Sequence, residues 1–314
     1  MVRIAIRILP ALFAITLAAC GDKSDKPDTL KASLQKAIDA GDGPAVLALA
    51  DLKGAPAMMS YMLLALPEDC SGDTVCTVSL APVDAEWEKQ AAANPDAADF
   101  ESTAKPEGLL TITGKPKAEG GSGSMNMSLP YAKVDGGYRI VSQRYTAAKL
   151  AKLQATTAQA AAEATLAQGI PDQPGTSDRN MDWKAQATAL PAGGGEPGAA
   201  YLANLQARTS AVKANDPDAA VAATGAWGEA VLGATDYSGA AVPMETRKAK
   251  LRAQAVRWPV EANVLGGWIK EPIAVLVIEG RNGVGNTLRG AQLMELVDGA
   301  WTTSSADFTE IPGG

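Results

Sequence analysis

One order of elements occurs twice along this chain, and that constrains its fold more than any single motif. In the first half, residues 29–50 carry Leu30, Leu34, Ala37 and Ile38 at helical spacing, with Thr29 as a cap. Gly41-Asp42-Gly43-Pro44 interrupts that helix, and Pro44 opens a shorter one. Residues 56–66 are apolar without alternation and read as a buried helix. Alternation predicts strands at 74–83, 109–115, 125–134 and 138–145, with a surface helix at 84–94. In the second half, helices are expected at 201–214, after Asn215-Asp216-Pro217, and at 244–256. Strands at 273–279, 288–297 and 301–305 follow.

The halves can be overlaid residue by residue. Leu34-Gln35 matches Leu205-Gln206, and Pro44 matches Pro217. Val134-Asp135-Gly136-Gly137-Tyr138 matches Val297-Asp298-Gly299-Ala300-Trp301, and an Asp-Gly pair between alternating runs is a strong tight-hairpin signal. We read this as an internal duplication. Amphipathic helices followed by alternating strands bury their apolar faces when the helices cover one face of an antiparallel sheet. The expected class is α+β: two related domains, each with helices packed on a curved antiparallel sheet. Residues 29–168 form the first, ending in an Ala-rich helix at 146–168 that Gly169 closes. Residues 169–198, rich in Pro and Gly, are expected to link it to the second, 199–314, with one helical turn around Trp183. Both units resemble the NTF2-like and cystatin-like domains of bacterial envelope lipoproteins, in which a final strand often follows an Asp-Gly turn and begins with Tyr or Trp.

The first residues form a secretory signal: Arg3 and Arg7, an apolar run from 8 to 17, then small residues. Leu17-Ala18-Ala19-Cys20 resembles the lipobox of bacterial lipoproteins. The resemblance implies cleavage after residue 19, lipidation of Cys20 with palmitate-type chains, and a periplasm-facing membrane anchor. By the same resemblance, Gly21 in place of an aspartate favours the outer membrane. Two or three acyl chains hold firmly where one holds marginally. Residues 20–28 carry little to bury and are expected to be a tether.

Composition narrows the chemistry. The formal net charge is −7, and Arg3 and Arg7 leave with the signal, so nucleic acid is not an expected partner. Cys70 and Cys76 flank a turn-forming Gly72-Asp73 and are expected to form a disulfide outside the cytoplasm, stabilising by about 2 kcal/mol. There is no histidine, which removes Ser-His-Asp and Cys-His nucleophiles and the commonest metal ligand. No metal, cofactor or catalytic residue is expected. Ser33-Leu34-Gln35-Lys36 fits S-x-x-K without the companion elements of penicillin-recognising enzymes. The run from Gly280 to Gly285 precedes a strand, not a helix, so a hairpin turn is expected rather than a phosphate loop. The acidic groups 68–73, 84–88 and 216–218 lack a calcium-loop pattern. Arg247, Lys248, Lys250, Arg252 and Arg257 are expected to form a solvated helix face.

The functional expectation is a non-enzymatic lipoprotein that binds another envelope protein or an apolar small molecule. Trp227, Trp258, Trp268 and Trp301 are candidate lining for a ligand pocket, or core of the second domain. Alternatives are an immunity-type inhibitor of a secreted toxin and an NTF2-like isomerase. The isomerase would use a carboxylate and a phenol, for which Tyr131, Tyr138 and Asp236 are candidates.

Overall fold

The computed structural model describes residues 25–71, 74–93, 97–116, 125–236 and 239–313. The expected signal and Cys20 lie outside the described residues, and so does the side chain of Trp227. The chain is α+β, with antiparallel meanders as its main sheets.

The first half begins with helices α1 (Pro27–Asp39) and α2 (Gly43–Ala48), a two-residue strand β1 (Ala50–Asp51) and helix α3 (Ala57–Asp69). Strand β2 (Thr74–Ala81), helix α4 (Ala85–Ala93), and strands β3 (Phe100–Ser102), β4 (Gly108–Pro116), β5 (Met125–Val134), β6 (Gly137–Val141) and β7 (Gln143–Tyr145) follow. The sheet order is β1-β6-β5-β4-β2, with β1 parallel to β6 and the other pairs antiparallel. Leu30, Leu34, Leu63 and Leu66 from the helices pack on Val78, Leu110, Ile112, Leu129 and Ile140 of the sheet. The opposite face is polar where Thr77, Ser79, Asn126 and Ser128 stand exposed, as expected of an antiparallel sheet covered on one side.

Between the halves come α5 (Ala147–Ala155), α6 (Ala158–Leu166), β8 (Ile170–Pro171), β9 (Arg179–Asn180), α7 (Trp183–Gln186) and β10 (Thr188–Leu190). The single helix expected at 146–168 is divided because Thr156 is extended (ψ 118°) and Thr157 caps a new helix, accepting from Ala160 N–H. Then α8 (Gly195–Ala214), α9 (Pro217–Leu232), α10 (Met244–Ala255), β11 (Pro259–Lys270), β12 (Ile273–Asn282), β13 (Thr287–Val297) and β14 (Ala300–Ile311) complete the chain. Their order in the sheet is β10-β11-β12-β13-β14, antiparallel throughout.

The segment read from sequence as a linker is built into this second sheet. β10 pairs with β11, and Ile170 and Trp183 are buried beside α6 against Ile273, Val275 and Val277. On the other face, Tyr201 of α8 packs with Ala274, Leu276 and Ile278. Residues 273–278 are therefore buried without alternation. The physical reason is a second cover: α6 and α7 shield the face that a one-sided sheet would leave to water. Strand β11 had no counterpart in the sequence reading, because Gly266-Gly267 interrupts its pattern.

Each half thus runs three helices and then a four-stranded meander, β2-β4-β5-β6 and β11-β12-β13-β14. The two Asp-Gly turns occupy equivalent hairpins. Their φ values, 50° and 86° at Asp135 and Gly136, 51° and 80° at Asp298 and Gly299, are those of a turn with both central residues left-handed.

Candidate functional site

Two devices place the elements that meet between the halves. The first is the bond between Cys70 and Cys76, whose Cα atoms are 5.4 Å apart. It ties the C-terminus of α3 to β2, with Cys76 itself in the core. The second is a polar latch at the other end of α3. Pro56 gives that helix no side-chain cap. Instead Glu310 of β14 accepts from Ala57 N–H at 2.8 Å, from Asn282 Nδ2 at 3.0 Å and from Asn286 Nδ2 at 2.6 Å. Asn286 also donates to Ala55 O at 3.3 Å. A carboxylate at a helix N-terminus meets both free N–H groups and the positive end of the helix dipole. The glycine-rich run of the β12–β13 turn therefore has a structural task, as Asn282 and Asn286 bracket it.

Held in this way, α3 presents Tyr61, Ala65, Glu68 and Asp69 toward Ala230 and Val231 of α9 and Lys250, Ala253 and Gln254 of α10. They enclose a cleft of about 210 Å³. Its lining mixes the aliphatic Ala65, Ala230, Val231 and Ala253 with the charged Glu68, Asp69 and Lys250. Glu68 meets Lys250 at 3.1 Å, Gln254 Nε2 reaches Tyr61 Oη at 3.5 Å, and the Arg257 guanidinium lies 5.3 Å from the Tyr61 ring centre. Burial raises the carboxyl pKa of Glu68 despite Lys250, and Asp69 adds to the rise. Asp69 is also raised by burial.

The basic cluster expected on a solvated face is divided, with one member buried and two exposed. Arg247, 5% exposed, donates from Nε to Leu232 O, the C-terminal carbonyl of α9, and pairs with Asp218 at 2.6 Å. Lys248 makes a surface pair with Glu245, Lys250 lines the cleft, and Arg252 and Arg257 are exposed, Arg257 lying beside the Tyr61 ring. A helix of alternating cations and alanines gave no sign that Arg247 would point inward.

Of the four candidate tryptophans, the three whose side chains are described do not come together. Trp258 lies with the α9–α10 core under Arg208, Trp268 packs on the α6 side of the sheet under Lys184, and Trp301 lies on the α8 side. They are core and rim of separate clusters, not one pocket.

Of the carboxylate and phenol candidates, Tyr131 and Tyr138 meet edge to face at 5.9 Å. Tyr138 donates to Glu107 at 3.2 Å, a partner sequence reading did not name. Burial, and then Glu107, raises both phenols. Glu107 is exposed, and Asp236 sits in the turn before α10, accepting from Ala240 N–H. Ser33 lies on α1 with Lys36 exposed beside it. Among the described residues, no cluster of three or more Cys, Asp or Glu is arranged to hold a metal, and no helix is long and apolar enough to cross a membrane. No family model, curated protein or solved structure matches this chain.

Proposed function

We propose that the protein is a lipid-anchored binding protein of the bacterial envelope, built by duplication of an NTF2-like or cystatin-like α+β unit, and that it engages a protein partner through the cleft between α3 and α10. Cys20 is the anchor in this reading, and the oxidised Cys70–Cys76 pair accords with an extracytoplasmic location. The recurrence of three helices and a meander, with matching Asp-Gly hairpins, supports the duplication.

One observation carries the choice of partner. The cleft, at about 210 Å³, is smaller than the roughly 300–1,000 Å³ of small-molecule sites, and acidic groups line it. It suits one long basic side chain on a protein surface. The faces of the two sheets that meet the helices are occupied by their own side chains, so the ligand-holding cone of an isomerase draws no support from the packing.

The anchor and the cleft are tested separately. Cys20→Ser should move the protein from the membrane to the soluble fraction, and mass analysis of the native N-terminal peptide should show the lipid. A photoreactive residue at Ala65 should give one discrete adduct in intact cells, lost on Glu68→Lys with Asp69→Lys. An unmodified N-terminus would overturn the anchor. An adduct indifferent to charge reversal would overturn the cleft.

A further inference from the structure

Helix α8 turns a polar row inward, away from the cleft. Tyr201, Asn204 and Arg208 are three and four residues apart and share one stripe of the helix. Tyr201 is wholly buried, yet its hydroxyl has no partner among the described residues. Asn204 Oδ1 and Arg208 Nε are likewise sealed from solvent and unpaired. Asn204 spends its Nδ2 on Ala223 O of α9, so what it has free is an acceptor. The Arg208 guanidinium lies 5.3 Å from the Trp258 ring centre, and one Nη reaches Pro259 O at 3.4 Å. No carboxylate pairs with it among the described residues, whereas Arg247 and Arg289 each have one.

Buried polar groups are hydrogen-bonded in folded proteins, and a half-buried cation without a counter-charge is costly. Burial pushes the Tyr201 phenol up to about 12, so it remains an O–H donor at any physiological pH. Burial also works against the charge on Arg208. Such a set is complete when an anion supplies the missing acceptors.

We propose that Tyr201, Asn204 and Arg208 form a binding site for a small carboxylate that also carries a hydroxyl or amine. The carboxylate accepts from Arg208 Nε–H and Tyr201 O–H, and the ligand's own donor satisfies Asn204 Oδ1. One guanidinium balances one negative charge, which favours a monocarboxylate over a dianion such as phosphate or sulfate. Asn204 and Arg208 are each partly exposed through their other atoms, and Tyr201 is not.

The test is the Arg208 Nε–H resonance of the full chain, titrated with glycolate, acetate and inorganic sulfate. A saturable shift with glycolate is expected, weaker with acetate, and at least tenfold weaker with sulfate. Tyr201→Phe and Arg208→Lys should each weaken glycolate binding at least tenfold while the thermal transition stays cooperative. A shift that rises linearly without saturation in the unmodified protein overturns the site, whatever the variants do. Equal affinity for sulfate, or unchanged glycolate binding in Arg208→Lys, overturns the proposed chemistry.

Discussion

Glu310 shows how much one side chain can organise. It offers a single carboxylate oxygen to Ala57 N–H and to the amides of Asn282 and Asn286, three donors from two separate elements. Glu310→Ala leaves those donors without that acceptor and should cost about 1–3 kcal/mol in denaturant unfolding. Glu310→Gln keeps an acceptor and should cost less; equal losses would contradict the latch. Glu68 is a residue whose burial works against it. Its folded pKa is raised above the usual 4.5, so the folded state holds the proton more tightly than the unfolded state. Its stabilising contribution is therefore present below pH 4.5 and is lost as the pH rises through the folded value. Unfolding free energies measured across pH 4–7 should fall less steeply in Glu68→Gln than in the native chain. An identical slope would show that Glu68 titrates as in the unfolded chain.

Among elements, strand β2 shows how a sheet edge is managed. It is the last strand of the first sheet, with unpaired backbone groups facing out. Gln35 of α1 fills the place of a neighbouring strand, donating to Cys76 O at 3.1 Å and accepting from Val78 N–H at 2.8 Å. The second sheet solves the same problem at β11 with a real strand, β10. An exposed edge is a template for self-association, so blocking it has a purpose beyond two hydrogen bonds. Gln35→Leu should lower stability by about 1–2 kcal/mol and produce concentration-dependent self-association in light scattering. A monomeric variant of native stability would refute this account of the edge.

At the scale of the molecule, the two halves carry separate cores joined by the latch and by the α3–α10 contact. Among the described residues, only the second sheet is covered on both faces, and Trp183, 1% exposed, fills the space under α6. Trp183→Ala should cost about 3–5 kcal/mol, the range for emptying a large aromatic site. Hydrogen exchange should show the loss first in β11–β14, with β2–β6 protected longer. Equal loss in both sheets would mean that the halves unfold as one unit.

Local signals were sufficient for much of this. The helices α1, α2, α9 and α10, the hairpins at Asp135-Gly136 and Asp298-Gly299, and the Cys70–Cys76 pair follow from spacing, turn chemistry and the redox logic of a short loop. The α+β class follows from their order. The sequence does not show where a helix goes after it forms. An Ala-rich helix at 158–166 has no strong apolar stripe to announce that it covers the far sheet, so the 169–198 segment looked like a linker. Nor does it show that Arg247 points inward, that Glu310 caps a helix some 250 residues away in sequence, or that Glu68 and Lys250 meet across a cleft. Each depends on how elements pack after they form: Arg247 on the docking of α10 against α9, and Glu310 and Glu68 on the two halves having been brought together.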